Sequence, residues 1–255
     1  MKNRYNLLTS IASKAFILFA LVAIVSVNAF AQVATIGTGA LSSTTYGPIY
    51  RSSTTSTFNH SAYAYLYTSA ELTAAGVTPG ATLNSVAWFK NSAFNMSGSA
   101  SGTLTIYMKN TSNTALTSST TWGTFLSGAT LVKTITYNAA SNLPATTGWV
   151  TVPLTTPFTV TGALEIYVSW SITGTSPFST GAFNWLYASG LPSTSALGYA
   201  SGTVYSPSSA LTTTYGGAAR PNIQIGYSLS PCSGTPAPGN TVASPTEICP
   251  NTSSI

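Results

Sequence analysis

The stretch LEIYVSWS, residues 164–171, decides the fold class of this chain. Its apolar residues stand at every second position and so share one face of an extended chain: Leu164, Ile166, Val168 and Trp170. Polar or amphipathic residues fill the positions between them, beginning with Glu165. This period of two predicts a β-strand that is buried on one face and leaves Glu165 on the outer face.

The same alternation continues along the chain on both sides of this strand. It recurs at residues 103–109, 150–154 and 223–227. Further strands are expected at 33–38, 60–67, 81–90, 130–137 and 183–188, separated by turn clusters rich in Gly, Ser and Pro. Because strands follow one another without βαβ alternation, we predict an all-β fold of two antiparallel sheets packed face to face, a jelly-roll-like or related β-sandwich.

One short helix is expected near residues 69–75. Thr68 and Glu71 have the spacing of a capping box, in which each side chain accepts a hydrogen bond from the backbone of the other residue. Gly76 suits the left-handed position after the helix. Glu71 is therefore interpreted as a helix cap and not as a catalytic acid. A second short turn is expected at 118–126, around Trp122.

The first 31 residues have the three parts of a secretory signal peptide. Lys2 and Arg4 give a positive start, Ala15–Val27 is apolar, and Ala29-Phe30-Ala31 is a small-x-small cleavage motif. The apolar run is shorter than the ~20 residues that span a bilayer. We therefore expect cleavage after Ala31, a secreted or cell-surface location, and no membrane span in the mature chain.

Removal of this segment changes the charge of the protein. The mature chain keeps five basic residues and three glutamates, a net charge of +2. The basic residues are Arg51, Lys90, Lys109, Lys133 and Arg220, and the acidic ones are Glu71, Glu165 and Glu247. Nucleic-acid binding requires clustered Lys and Arg, so no nucleic-acid partner is expected.

The sequence offers few residues for catalysis. A glycosidase needs two carboxylates at one bond, and a triad needs a histidine beside an acid, whereas 32–229 holds Glu71, Glu165 and His60 and no Asp. Clustered His, Cys or Asp ligands for a metal are also lacking. We expect no catalytic residues, no metal, no cofactor, and hence no enzyme.

Aromatic side chains are the remaining candidates for function. Tyr and Trp stack on sugars or anchor protein partners because they combine a large apolar face with a polar tip. Trp122, Trp185 and Tyr187 are the candidate ligand-binding residues, for an extracellular glycan or a protein surface. The alternative is that these rings pack in the core, as in many sandwiches.

Four long segments together resemble a known domain: Tyr46–Lys90, Leu104–Ser112 (LTIYMKNTS), Gly148–Trp170 and Arg220–Tyr227 (RPNIQIGY). They are similar to the N-terminal β-rich domain of large secreted Bacteroidota surface proteins of the type IX secretion cargo type. The resemblance covers most of residues 33–228. It implies export and a multidomain surface protein, and it assigns no catalytic residues.

After residue 229 the composition changes to Pro, Gly and Ser, so we expect three parts: a signal peptide at 1–31, a β-sandwich domain at 32–229, and a linker at 230–255. The linker PCSGTPAPGNTVASPTEIC resembles the start of an Ig-like or PKD-like module, which implies a fragment of a longer protein. Cys232 and Cys249 either form a disulfide with each other or have partners beyond residue 255.

These observations lead to one functional expectation and an alternative. The expectation is a non-catalytic, secreted or cell-surface module of a multidomain adhesin-like or scaffold protein. The alternative is a carbohydrate-binding accessory domain, including that of a larger secreted enzyme whose catalytic domain lies beyond residue 255.

Overall fold

The computed structural model describes residues 32–50, 58–93, 101–138, 140, 143–173, 183–192 and 194–229. These residues belong to one compact unit, Ala31–Leu229. Within the described ranges, no helix has both the length and the apolar character needed to cross a membrane. The predictions for the signal peptide and for Cys232 and Cys249 lie outside the described residues.

The described chain consists of thirteen strands and two short helices. The strands are β1 (Gln32–Ile36), β2 (Leu41–Ser43), β3 (His60–Tyr67), β4 (Thr82–Lys90), β5 (Ser101–Thr111), β6 (Thr130–Tyr137), β7 (Gly148–Thr159), β8 (Ala163–Thr173), β9 (Trp185–Ala188), β10 (Ala196–Ser201), β11 (Thr212–Gly217), β12 (Arg220–Pro221) and β13 (Ile223–Ser228). The helices are α1 (Ser69–Ala74) and α2 (Trp122–Leu126).

The strands form two sheets in which the paired strands are antiparallel. The seven-stranded sheet has the order β1-β13-β4-β9-β12, with β2 paired to β9 and β7 paired to β4. The six-stranded sheet has the order β11-β10-β3-β8-β5-β6. This arrangement confirms the predicted all-β, two-sheet sandwich.

The main core lies between the two sheets. Strand β3 contributes Tyr63, Tyr65 and Tyr67 to it, and strand β4 of the other sheet contributes Val86 and Trp88. The predicted inward residues of β8 are also in this core: Leu164, Ile166, Val168 and Trp170. The period of two therefore identified the inner face of the six-stranded sheet correctly.

The outer face of the same sheet is covered as well. Helix α2 and its flanking loops bury a second apolar cluster there, which includes Ala62 and Ala64 of β3 and Trp122 of α2. As a result β8 is buried on both faces over residues 163–170, so the expectation of a half-buried strand is wrong. Glu165 lies on the outer face as expected, but it is only 2% exposed. The physical reason is that alternation in the sequence shows only which side chains are polar. Whether another segment covers the outer face depends on residues that are distant in sequence.

The predicted helix near 69–75 is confirmed as α1. Thr68 Oγ1 accepts a hydrogen bond from the Glu71 backbone N–H, and the Glu71 carboxylate accepts one from the Thr68 N–H, which completes the capping box. Gly76 has φ of 90°, the left-handed conformation expected after the helix. The short turn expected at 118–126 contains α2.

The sequence did not predict β2, β10, β11 and β12. Two of them are only two or three residues long, and β10 carries Gly198 in its interior. A glycine there is sterically required, because a Cβ would lie 2.7 Å from both Tyr63 and Tyr215 atoms. Such a strand has too little alternation to be recognised without its neighbours.

Candidate functional site

Glu71 forms an ion pair with Arg220. Its Oε1 lies 2.5 Å from Nη2 of Arg220, a residue that is 3% exposed and also donates to the Leu66 carbonyl. Burial tends to raise the pKa of Glu71, but hydrogen bonds and charge from Arg220, with donors from Thr68, outweigh it and the pKa lies below the usual value. Glu71 is thus held as an anion that neutralises a buried cation.

Glu165 is held in a different network, on the outer face of the six-stranded sheet. The Asn113 side chain donates to its Oε1 at 2.8 Å, and the Tyr167 hydroxyl donates to its Oε2. Burial and this bond to Glu165 both raise the pKa of Tyr167, so the phenol remains a donor. A buried carboxylate with two donors and no ion pair has acceptor capacity left over, because each oxygen has two lone pairs.

His60 lies far from Glu165. It starts β3, opposite Ser171 of β8, and its Nδ1 is 2.7 Å from the Ser171 hydroxyl. Ser171 is six residues from Glu165 along β8, which is about 20 Å at ~3.3 Å per residue. Partial burial lowers the pKa of His60, which favours the neutral imidazole.

A cavity of about 210 Å³ opens above Glu165. We call it the Glu165 pocket. Its residues come from β5, β8, α2 and the segment that leads into α2: Lys109, Asn113, Leu116, Thr117, Thr120, Thr124, Phe125 and Glu165. Lys109 stands directly opposite Glu165 in the register of β5 and β8, so both side chains point to the same face of the sheet.

The Glu165 pocket has a layered chemistry. Buried Leu116 and Phe125 supply an apolar wall, and the exposed or half-buried Lys109, Asn113 and Thr117 stand nearer the solvent. One positive and one negative side chain line the pocket, and no ion pair joins them. This combination of a buried acceptor, several donors and an apolar wall is typical of a site for a small polar ligand.

A second groove provides a comparison. It has a volume of about 270 Å³ and lies between β6 and β7, where Lys133 donates to the Thr155 hydroxyl at 3.2 Å. Leu131 and Thr156 also line it, but no carboxylate does. It therefore resembles the Glu165 pocket in its lysine and threonines and lacks the buried acceptor.

Trp122, a candidate ligand-binding residue, is 3% exposed. It begins α2, and its ring packs edge-on against Tyr107, Tyr167 and Tyr205 at centroid distances of 5.7 to 6.4 Å. This burial agrees with the alternative interpretation that the ring packs in the core, since the outer face of the sheet has small residues at Ala62 and Ala64 that admit a covering layer.

Trp185 is also buried, at 1% exposure, and its Nε1 donates to the Ile49 carbonyl at 3.0 Å. It is part of the main core, which again agrees with the alternative interpretation of these rings. Tyr187 differs, since it is half-buried and its ring lies 4.7 Å from that of Tyr46. Of the three predicted aromatic candidates, Tyr187 alone retains substantial contact with solvent.

The sequence did not single out the residues of the Glu165 pocket. Asn113 and Thr117 lie in the polar run TSNTALTSSTT, residues 111–121, which is typical of a loop. The available signal was Leu116, an apolar residue within that run, which is buried against the sheet. Its burial brings the polar neighbours down onto Glu165.

In the part of the chain that the structure describes, no group of three or more His, Cys, Asp or Glu residues is placed to hold a metal ion. No protein-family model matches the chain, and no curated protein is similar to it.

Proposed function

We propose that the chain acts by surface contact, as a non-catalytic, secreted or cell-surface β-sandwich module of an adhesin-like or scaffold protein. The observation that carries this proposal is the separation of the two described glutamates and the histidine from one another. Glu71 is neutralised by Arg220, Glu165 lies beneath Asn113, and His60 is about 20 Å from Glu165. Acid–base or nucleophilic catalysis requires such groups within hydrogen-bond reach of one reacting bond.

The test is a hydrolysis assay on the exported chain. Neutral and acidic polysaccharides are incubated with the purified protein, and new reducing ends are measured against a heat-denatured sample. The proposal predicts no turnover above this control. Turnover that a folded Glu165→Gln variant abolishes would overturn it. Mass spectrometry of the extracellular fraction adds a second readout, a mature chain that begins at Gln32.

Carbohydrate recognition is a second candidate function, and the Glu165 pocket favours it. Sugars present adjacent hydroxyl groups and apolar ring faces. The pocket supplies a carboxylate that can accept further hydrogen bonds, beside the apolar side chains of Leu116 and Phe125. A glycan array probed with the full chain tests this candidate. It predicts retention on a subset of glycans, and uniform absence of retention would remove it.

A further inference from the structure

We infer that the Glu165 pocket binds a single neutral sugar ring at the end or branch of a glycan. This inference rests on carbohydrate recognition, the second candidate function, and adds the place, the size and the charge of the ligand. Four properties of the pocket support it: its volume, its hydrogen-bonding groups, its charge and its apolar wall.

The volume accommodates about one ring. At about 210 Å³ the cavity is below the range of ~300–1,000 Å³ that encloses drug-sized molecules. The cavity is open to solvent through exposed Asn113, Thr117 and Thr124, so the remainder of a glycan chain can continue outward from the ring.

The hydrogen-bonding groups fit adjacent hydroxyls. Glu165 receives one bond at each carboxylate oxygen, from Asn113 and from Tyr167, which leaves one acceptor site on each oxygen. Two neighbouring sugar hydroxyls can donate to this pair in a bidentate manner. The Lys109 ammonium and the Thr117 hydroxyl then donate hydrogen bonds to oxygens of the ligand.

The charge favours a neutral ligand. Lys109 and Glu165 face each other across β5 and β8, so attraction and repulsion offset each other for a simple cation and for a simple anion, and neither gains a net electrostatic advantage. Leu116 and Phe125 meanwhile provide an apolar wall for the face of a ring. A neutral ring satisfies both features.

The test is NMR-detected titration of the full chain with single-ring probes. The probes are the methyl glycosides of glucose, galactose, mannose and N-acetylglucosamine, with glucuronic acid and glycine for comparison. We expect at least one neutral glycoside to bind more tightly than glucuronic acid or glycine and to shift the amide signals of Asn113, Thr117 and Lys109.

Matched variants locate the site. Lys109→Met removes a donor while keeping the aliphatic stem, and Thr117→Val removes a hydroxyl that makes no hydrogen bond within the described structure. Each is expected to weaken binding about tenfold, since a polar group built to pair with a ligand hydroxyl is lost. Thr117→Ser keeps the hydroxyl and is expected to retain binding. Lys133→Met, in the second groove, is expected to have no effect.

Each result decides a different point. If Lys109→Met and Thr117→Val leave sugar binding unchanged, the Glu165 pocket is not the binding site. Carbohydrate recognition would then occur elsewhere on the chain. Preference for glucuronic acid would overturn the neutral-ring assignment, as would preference for glycine. Absence of shifts with every neutral glycoside would overturn the inference. Carbohydrate recognition as a function would be overturned only if the protein were retained on none of the glycans of the array.

Discussion

Arg220 is the residue that carries a buried positive charge across the sandwich. From β12 of the seven-stranded sheet it donates to the Leu66 carbonyl of the six-stranded sheet, pairs with Glu71, and stacks 4.1 Å from the ring centre of Tyr67. A buried guanidinium is stable only when its charge and its donors are satisfied. Its contacts provide both.

Glu71→Gln tests this ion pair. We expect the free energy of unfolding at neutral pH to fall by about 2 kcal/mol, because Arg220 loses its counter-charge and a charged hydrogen bond. The measurement is urea denaturation.

The pH dependence of this loss is fixed by the direction of the pKa shift. The folded-state pKa of Glu71 lies below the ordinary value of a glutamate, so its stabilising contribution is present above the unfolded pKa and disappears as the pH falls through the folded pKa. The difference between wild type and Glu71→Gln should therefore shrink between about pH 6 and about pH 3. An equal difference at both pH values would contradict the assigned role.

Tyr65→Phe and Tyr67→Phe form a matched pair on one strand. The Tyr65 hydroxyl donates to the Gly47 carbonyl at 2.8 Å, whereas the Tyr67 hydroxyl is buried without a hydrogen-bond partner in the described structure. We expect Tyr65→Phe to cost about 1–2 kcal/mol of unfolding free energy, and Tyr67→Phe to leave it unchanged or slightly higher. Chemical denaturation measures both. A larger loss for Tyr67→Phe would refute the hydrogen-bond assignment.

At the scale of elements, aromatic donors fix residues 44–50, the segment that follows β2, to the core. Tyr63, Tyr65 and Trp185 donate to the carbonyls of Thr45, Gly47 and Ile49. The alternate spacing of these carbonyls matches the alternate spacing of the tyrosines. The segment is thereby bound to the sandwich without being a strand of either sheet.

Helix α2 is the element that converts the outer face of the six-stranded sheet into a second core. Trp122→Ala is expected to lower the free energy of unfolding by about 3–5 kcal/mol, because the ring fills a buried cluster. Tyr187→Ala, at a half-buried site, is expected to cost clearly less. Denaturation of both variants checks this, and a loss of glycan binding without any loss of stability in Trp122→Ala would show a ligand role instead.

Local pattern predicted the inner face of β8 and the capping box of α1, because both depend on residues within one element. It did not predict coverage of the outer face, which depends on α2, about 40 residues before Glu165. The alternation of Ala and Tyr in HSAYAYLY of β3 was the available signal. A strand with apolar residues on both faces indicates that both faces are covered.

On the scale of the whole molecule, scarcity of charge governs behaviour in salt. Among the described residues the Glu71–Arg220 pair is the only ion pair, and its guanidinium is buried. Raising NaCl from about 0.05 M to about 0.5 M should change the free energy of unfolding by less than about 0.5 kcal/mol. Denaturation at the two concentrations measures this, and a loss above about 1 kcal/mol would reveal an electrostatic contribution that the described residues do not account for.

The candidate site was less predictable than the fold, for a physical reason. Glu165 and Lys109 are distant in sequence, and the strand register that places them opposite each other exists only in the assembled sheet. Asn113 reaches Glu165 because Leu116 is buried beside it. For two of the aromatic candidates, the structure favours the core alternative. Trp122 and Trp185 have the composition of a ligand platform and are used to pack the interior.

The central claim is that the protein binds its ligand without catalysing a reaction on it. The most direct test is one NMR experiment on the full chain mixed with a glycan that the protein retains on the glycan array. We predict shifts at Asn113, Thr117 and Lys109 around the Glu165 pocket, and an unchanged glycan spectrum over days. New reducing-end signals that a folded Glu165→Gln variant abolishes would contradict a non-catalytic module. Shifts confined to Tyr46 and Tyr187 would contradict the site.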